Sequence, residues 1–170
     1  MTDHPERVRL RGVIHADLEA FLTFEHDEEA VRRSRFTPRP RDAFLTHWKS
    51  AILGDDTCLV RTVTVDEEPA GHIVAWWEGD EADSRRRFVG YWLGRPYWGR
   101  GIGAEALGLF LREEVNRPLY ADPFAGNTAS VRLLEKLGFQ RSGIVRHGED
   151  EHLLLVLPAP APAPPPPRTS

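Results

Sequence analysis

The chain has 170 residues, of which 41% are hydrophobic and 28% are charged, as expected for one globular domain and not for a chain that is disordered throughout. The formal net charge of −4 and the single cysteine, Cys58, argue against nucleic acid or membrane as a partner and exclude an internal disulfide and a cysteine-based zinc site. No apolar run approaches the ~18 residues of a membrane span, and Met1–Leu10 lacks a secretory apolar stretch, so we expect a cytoplasmic protein.

The first half of the chain predicts the order β-α-α-β-β. Apolar residues that alternate with arginines predict a strand at Val8–Ile14, and Asp17 is placed to cap the helix that follows. A second helix is predicted over Arg41–Leu53. The turn sequence Asp-Glu-Glu-Pro lies between two β-branched stretches, Thr57–Val65 and Ala70–Trp77, which should therefore pair as a hairpin.

The second half of the chain predicts the order β-α-β-α-β-β. A strand at Arg86–Leu93 is followed by a glycine-rich loop and by a helix over Ile102–Val115, where apolar residues recur at helical spacing. Asn127 is placed to cap a further helix, and Gly138 to end it. The remaining strands are predicted at Pro118–Ala121, Phe139–Val145 and His152–Leu157. The complete order implies an α+β (mixed α/β) domain with a largely antiparallel mixed sheet flanked by helices.

A change in composition after Leu157 divides the chain. Residues 158–170 read PAPAPAPPPPRTS and contain seven of the 14 prolines. Proline lacks the amide hydrogen that helices and sheets require, so this run favours extended polyproline II or disorder. We therefore predict one folded domain over 1–157 and a disordered Pro/Ala-rich tail over 158–170.

Three alternating glycines, at 99, 101 and 103, lie where a predicted strand passes into a predicted helix. Glycine accepts positive φ and lets a ligand approach the backbone closely. The first amides of a helix are unpaired and lie at its positive dipole end, so this loop can hold an anion such as a pyrophosphate. Residues 85–100 contain five arginines and no acid, which suits an anion. The alternative is a loop whose glycines only permit a tight turn and close helix packing.

Other phosphate-binding motifs fit this loop less well. A Walker A motif is excluded because no Gly-Lys-Ser/Thr follows. Gly99, Gly101 and Ala104 fit the dinucleotide-binding pattern, and Asp122 lies near its expected acidic position. However, the loop does not turn directly from its strand, and too few folded residues follow Gly101 for a complete doubly wound sheet. A dinucleotide site therefore remains a minor alternative.

Two motifs carry a family resemblance. Trp98–Ala104 (WGRGIGA) resembles the acyl-CoA pyrophosphate loop of the GNAT superfamily of N-acyltransferases. Asn127–Gln140 is similar to the second signature of that superfamily: Asn, two residues, Ser, then a helix closing in Leu-Gly-Phe. The run GYWLGRPYWGRG is most similar to the branch of ribosomal-protein N-terminal (alanine/serine) acetyltransferases. The two motifs occur in order, about 30 residues apart, within the strand and helix order that the superfamily requires.

The resemblance implies a GNAT-like fold and an N-acetyltransferase that moves an acetyl group from acetyl-CoA to a primary amine by direct attack in a ternary complex, without a metal. The amine would belong to a protein N-terminus or a small molecule. Backbone groups of Tyr91 and Leu93 would pair with the pantetheine arm, and Asn127 would hold its far side. The pyrophosphate would be bound by the amides of Gly99, Arg100, Gly101, Gly103 and Ala104.

The catalytic residues are less clearly marked. Many members of the superfamily carry a tyrosine that protonates the departing thiolate, and Leu134 stands at that position here. Ser130, one turn earlier, is the replacement that we expect, unless its hydroxyl is bonded to the backbone at the helix start. Glu78, at the end of a strand, is the expected general base. Asp122 and His72 are the other candidates, although carboxylates at strand ends are commonly solvated and His72 fits a hairpin surface.

Several questions stay open at this level. The missing tyrosine leaves a non-catalytic acyl-CoA-binding module as an alternative to an enzyme. The segment between Asp17 and Leu53, which would shape the acceptor cleft, carries no readable motif. The sequence also leaves the oligomeric state undetermined, a homodimer included.

Overall fold

A computed structural model describes residues 7–160 and 165–168. The strands in these ranges are β1 (Val8–Arg11), β2 (Leu59–Val65), β3 (Glu68–Glu78), β4 (Arg86–Leu93), β5 (Leu119–Ala121), β6 (Gln140–His147) and β7 (Asp150–Leu157). The α-helices are α1 (Asp17–Glu25), α2 (Glu28–Ser34), α3 (Arg41–His47), α4 (Ile102–Glu113) and α5 (Thr128–Lys136). A π-helical turn, Trp48–Ile52, continues α3, and short 3-10 turns lie at Ala82–Ser84 and Arg95–Tyr97.

The seven described strands form one sheet in the order β1-β2-β3-β4-β5-β7-β6. Strands β4 and β5 run parallel, and every other neighbouring pair is antiparallel. The predicted fold class, a largely antiparallel mixed sheet flanked by helices, is therefore confirmed.

The predicted hairpin joins β2 to β3 through a two-residue turn. Val65 pairs with Glu68, and the two residues between them, Asp66 and Glu67, have φ values of 48° and 74°. Two successive positive φ angles define the turn type whose twist matches that of the flanking strands. The Asp66 carboxylate also accepts a hydrogen bond from the Arg7 amide (2.9 Å), which attaches the chain before β1 to the turn.

Each face of the sheet has its own hydrophobic core, because neighbouring residues of a strand point to opposite sides. Ile73 belongs to the core that includes Leu107 and Phe110 of α4. Val74 belongs to the core that includes Phe21 of α1 and Trp48 of the π-helical turn. We refer to these two sides of the sheet as the α4 face and the α1 face.

The parallel strands β4 and β5 separate after only two paired positions. Arg87 pairs with Leu119 and Phe88 with Tyr120, whereas β4 continues to Leu93. Beyond Phe88, the β5 side of β4 has no strand partner among the described residues. Backbone groups on such an edge need other partners, so the fold opens a gap in the middle of its sheet.

The segment before β2 differs most from the sequence-based expectation. It contains a helix that the sequence did not predict, α2, whose first turn is capped by Asp27 accepting from the Ala30 amide (3.0 Å). Asp17 does not cap α1; the cap position is Ala16, and Asp17 is the first helical residue, 1% exposed. That prediction was wrong because the Asp17 carboxylate is used in long-range contacts instead.

The buried Asp17 carboxylate joins three elements. It accepts hydrogen bonds from the Arg11 guanidinium (2.7 and 2.9 Å), the Ile14 amide (3.0 Å) and the Thr62 hydroxyl (2.8 Å). Burial by itself raises the pKa of Asp17, but these hydrogen bonds outweigh burial and leave the pKa below its ordinary value. The carboxylate therefore stays ionised and ties β1 and β2 to the start of α1.

The region after β7 is described only in part. Residues 158–160 and 165–168 are exposed and form no helix or strand, and the other positions of the predicted tail, 161–164 and 169–170, lie outside the described residues. Across the ranges that the structure does describe, no helix is long and apolar enough to cross a membrane.

Candidate active site

A cavity of about 520 Å³ lies beside the gap between β4 and β5. Its walls come from α2, the last three residues of β4, the glycine-rich loop with the start of α4, and one side of α5 along its length. All the residues that the sequence predicted for cofactor binding line this cavity except Arg100: Tyr91, Leu93, Gly99, Gly101, Gly103, Ala104 and Asn127. The Arg100 side chain donates to the Pro96 carbonyl (3.0 Å) and lies over the Tyr97 ring.

The glycine-rich loop has the geometry that an anion requires. Gly99 and Gly101 have φ values of 70° and 75°, and a side chain at either position would meet nothing within 4 Å. Gly101 is the N-cap of α4, and the Glu105 amide donates back to its carbonyl (3.2 Å). The amides of residues 102–104 precede that bond, so they have no partner within the helix. Their positive dipole end and the open space beside the glycines fit a pyrophosphate.

Basic side chains border the same cavity. Arg33 of α2 and Arg132 and Lys136 of α5 line it, and the Arg33 guanidinium lies 4.3 Å from the centre of the Trp98 ring. An arginine held flat on an aromatic ring keeps its charge at a defined place. The Trp98 ring therefore helps to hold the Arg33 charge beside the cavity.

The open edge of β4 presents the backbone of Tyr91 and Leu93 to the gap. The Gly94 amide donates to the Ala70 carbonyl on β3 (2.8 Å). Because successive backbone groups of an antiparallel strand point to alternate sides, those of residues 91 and 93 point away from β3. The Leu93 carbonyl accepts the indole N–H of Trp98 (2.8 Å), which leaves the amide of Leu93 and both groups of Tyr91 for a ligand.

The start of α5 faces this edge across the cavity. Asn127 caps the helix as predicted, and its side chain accepts from the Ser130 amide (3.4 Å). The Ser130 hydroxyl does not turn back to the helix backbone; it lies 2.6 Å from the phenol oxygen of Tyr91. Burial raises the pKa of that phenol, and the hydrogen bond with Ser130 lowers it by less, so Tyr91 remains protonated at neutral pH.

The structure places the candidate bases away from the cavity. Glu78 is exposed at the end of β3, where it pairs with Arg86 in the register of the sheet, and its carboxylate accepts the Trp76 indole N–H (2.9 Å). The Asp122 carboxylate lies 3.0 Å from Nε2 of His147. Neither acid lines the cavity.

The sequence suggests that His72 lies at the surface of the hairpin, and that prediction is wrong. Its ring packs between Phe21 and Trp48, with ring centres 4.8 and 4.7 Å apart. The ring atom Nδ1 is buried and has no hydrogen-bond partner among the described residues. Burial, helped by the charge of Arg39, lowers the pKa of His72 to about 3, so the ring is neutral and belongs to the core on the α1 face.

Sequence reasoning missed two side chains that line the cavity and one polar pair outside it. Tyr91 was assigned a backbone role only, and its phenol became visible as a candidate once α5 was packed against β4. Arg33 was missed together with helix α2. The pair of His147 with Asp122 was missed because the two residues are far apart in sequence. For Tyr91, the sequence motif marked the position of the residue but not the direction of its side chain.

A sheet opened between two parallel strands, with helix amides and glycines at one end of the gap, defines an acyltransferase site of the GNAT type. The chain matches the family model described as "Acetyltransferase (GNAT) domain" over residues 7–140, and it belongs to that family. It is similar to the uncharacterised N-acetyltransferase p20 of Bacillus licheniformis, with 27% identity over 87% of each chain. It is also 29% identical to the uncharacterised N-acetyltransferase YokL of Bacillus subtilis, over 83% of this chain and 80% of that one.

Solved structures share the fold. An uncharacterised protein from Bacillus halodurans superposes with a TM-score of 0.73 at 18% identity, covering 90% of this chain and 84% of that one. The aminoglycoside acetyltransferase AAC(6')-Ib, in complex with coenzyme A and kanamycin, superposes with a TM-score of 0.70 at 22% identity, covering 89% and 95%. The family match and the two similar N-acetyltransferases identify the chain as an acyltransferase, an acetyltransferase of the GNAT family.

Proposed function

We propose that this acetyltransferase uses acetyl-CoA to acetylate a primary amine by direct attack in a ternary complex. The observation that carries the proposal is the continuity of one cavity, which joins the amides at the start of α4 to the open edge of β4. A ligand with a diphosphate at one end and an extended amide-bearing arm would satisfy both. Coenzyme A has those two parts in that order.

The residues present fit such a ligand. Amides between Gly99 and Ala104 would hold the diphosphate, and Arg33, Arg132 and Lys136 would add charge around it. The backbone of Tyr91, the amide of Leu93 and the side chain of Asn127 would hold the arm. When bound, acetyl-CoA supplies an activated acyl group and a thiol leaving group.

The Ser130 hydroxyl is the proposed proton donor on the leaving-group side. Its oxygen borders the cavity and lies 2.6 Å from the protonated Tyr91 phenol. Ser130 can give its proton toward the cavity and take another from Tyr91, so the pair holds a proton at the place where negative charge would develop. The phenol is thus supplied by Tyr91 on β4. The α5 position at which many superfamily members carry a tyrosine is occupied here by Leu134, which is buried.

Glu78, the general base predicted from the sequence, stays a candidate for that role. It lies on the α1 face together with Trp76, because the two residues are two positions apart on the same strand.

We propose an α-amine as the preferred acceptor, in keeping with the resemblance to ribosomal-protein N-terminal acetyltransferases. About a tenth of an α-amine is neutral at pH 7, against one part in a few thousand for a lysine, so an α-amine makes smaller demands on a base. Small polyamines and aminoglycosides are the competing acceptors.

The test is an assay of purified protein with acetyl-CoA and a panel of amines. The panel comprises peptides that begin with Ala or Ser, the same peptides with a blocked N-terminus and a free lysine, polyamines and kanamycin. Thiol release gives the rate, and mass spectrometry locates the acetyl group. Acetylation of free N-termini supports the proposal, whereas acetylation of polyamines or kanamycin alone would replace the acceptor class. Calorimetric binding of coenzyme A without turnover on any amine would favour the non-catalytic module.

A further inference from the structure

A polar cluster outside the cavity lies where the chain after β5 runs against the start of β7. We call Asp122, His147 and His152 the Asp122 cluster. The Asp122 carboxylate is 3.0 Å from Nε2 of His147, and the Asp122 carbonyl is 2.8 Å from Nδ1 of His152. The two imidazole rings are perpendicular, with centres 4.4 Å apart. One backbone carbonyl and one carboxylate therefore fix the orientation of both histidines.

These contacts decide which ring nitrogens carry protons. A carbonyl oxygen can only accept, so Nδ1 of His152 must donate, and in the neutral ring Nε2 is left with a lone pair. A carboxylate likewise accepts from Nε2 of His147. His152 is half-buried, while the His147 side chain is 54% exposed. His152 can therefore accept a proton on Nε2 at a half-buried position, whereas His147 is exposed to solvent.

The sheet register places the cluster at the gap between β4 and β5. Tyr120 pairs with Val156, and Phe124 pairs with His152, so positions 120, 122 and 124 lie on the same face of the chain as His152. The Tyr120 ring contacts Phe88 of β4 (5.7 Å between centres), and Phe88 stacks on Trp76, which packs on the α1-face core. Asp122 lies two positions after Tyr120, the last β5 residue that pairs with β4, so the cluster borders the gap on the α1 face.

The connection from α2 to α3 crosses the same opening. The Phe36 ring contacts Trp92 of β4, with ring centres 5.4 Å apart. The guanidinium of the preceding residue, Arg35, lies 5.3 Å from the centre of the Phe124 ring on the β5 side. Two successive residues thus touch both sides of the gap. Together with the Asp122 cluster they form the border of an entrance on the face opposite to α4.

We propose that His152, instead of Glu78, is the catalytic residue that takes the proton from the incoming ammonium, a proposal that rests on the acetyl transfer proposed above. An N–H bond of the ammonium breaks and an Nε2–H bond forms on His152; the freed lone pair of the amine makes the attack, and the imidazolium later returns its proton to water. The Asp122 carboxylate attracts the cation and positions the His147 ring, and the Asp122 carbonyl positions the His152 ring. The charged and titratable groups around His152 are Asp122, His147, Arg35 beyond Phe124, and Glu151 in an ion pair with Arg146 (2.9 Å).

The first test needs no cofactor. Nitrogen-15 NMR of the imidazole groups in the free protein should show His152 as the Nδ1–H form at pH 8, with an unprotonated Nε2. A His152 ring protonated on Nε2 at that pH would overturn the proposal whatever the activity. Substitution H147Q should leave this tautomer in place, because the Asp122 carbonyl fixes it.

The second test uses kinetics. With an acceptor that the unaltered enzyme acetylates, H152Q should lower kcat/KM at pH 7 by about 10²- to 10⁴-fold, the usual contribution of a general base, and remove the acidic limb of the pH profile. Coenzyme A affinity should not change, and the exposed control H15Q should behave as the unaltered enzyme. An H152Q enzyme that is folded by circular dichroism and retains both rate and acidic limb would overturn the proposal. Absence of transfer by the unaltered enzyme with every amine would instead remove the proposed function itself.

Discussion

The hydroxyl of Ser130 and the phenol of Tyr91 lie 2.6 Å apart and join helix α5 to strand β4 across the cavity. Neither group is used for capping or lies free at the surface. A partly buried hydroxyl pair of this kind links the two elements and can hold one mobile proton. Their catalytic and structural roles can be separated by experiment.

Removing either hydroxyl should slow the reaction without weakening cofactor binding. We expect S130A and Y91F each to lower kcat by about 10- to 100-fold, and the double variant to lower it little further, because the two groups act as one unit. Steady-state kinetics and calorimetric titration with coenzyme A measure the two effects. S142A, on the exposed strand β6, is the control. A double variant that loses the product of both single effects would show that the hydroxyls act separately.

Glu78 offers a simple charge test. E78Q keeps the shape of the side chain and an acceptor oxygen for the Trp76 indole but cannot bind a proton. If Glu78 is the base, turnover should fall at least tenfold while coenzyme A affinity is kept. Because His152 is the proposed base, we expect E78Q to retain its rate and its pH profile. Parallel pH profiles of E78Q and H152Q therefore assign the proton acceptor to one of the two residues.

The loop assignment predicts a loss of cofactor binding on substitution of Gly101. In G101V a branched side chain would occupy the open space beside the α4 amides, at a residue with φ 75°, so coenzyme A affinity should fall by more than 100-fold. The matched control is G148V, in the hairpin between β6 and β7, where φ is 65° and the space is equally open. It imposes the same backbone strain away from the cavity. Calorimetry that gives equal affinities for both variants would contradict the assignment.

His72 should make the stability of the fold depend on pH. Its pKa is about 3 in the folded protein and about 6.5 in the unfolded chain. The unfolded state therefore binds the proton first, and stability is complete above pH 6.5 and declines as the pH falls toward 3. The slope is about 1.4 kcal/mol per pH unit.

Urea unfolding at pH 7.5 and 5.5 tests the role of His72. The unaltered protein should lose about 1.4 kcal/mol of unfolding free energy between these conditions. H72L should lose at least 1 kcal/mol less over the same interval, because its side chain does not titrate. H15Q, an exposed histidine substitution, should follow the unaltered protein. Staying above pH 5 keeps Asp17, whose pKa is lowered, ionised throughout. Equal pH dependence in H72L would locate the effect elsewhere.

Glu113, the last residue of α4, and Glu114, which follows it, allow a surface ion pair to be compared with a buried one. Glu114 is 2% exposed and pairs with Arg87, 4% exposed, which also donates to the Thr57 carbonyl (2.8 Å). Glu113 pairs with Arg61 at the surface (3.0 Å). Removing one partner of a buried pair leaves an uncompensated charge, whereas surface pairs contribute little.

We therefore expect E114Q to reduce the unfolding free energy by about 3–5 kcal/mol and the control E113Q by less than about 1 kcal/mol. Chemical denaturation gives both values. The double variant R87M/E114L should regain most of the loss, since it removes both charges together. Equal losses in E113Q and E114Q would show that burial does not decide the strength of these pairs.

Features that depend on residues close in sequence are predictable from local rules alone. The turn at Asp66 and Glu67, the cap at Asn127 and the glycine-rich loop before α4 follow from local backbone preferences and from unpaired amides. The β-branched stretches at β2 and β3 indicate strands in the same way. The fold class and the glycine-rich loop are consequences of these short-range rules.

Features that depend on contacts between distant segments appear only in the folded chain. Asp17 is a residue type that commonly caps helices, but its carboxylate accepts hydrogen bonds from residues of β1 and β2 instead. The Tyr91 phenol meets Ser130, and Asp122 meets His147 and His152, because sheet register and helix packing bring together residues that local preferences cannot relate. Sequence by itself therefore determined the strands, α4, α5 and the glycine-rich loop beside the cavity. Tertiary structure decided which side chains meet at the candidate site, since those contacts depend on packing between segments that are distant in the chain.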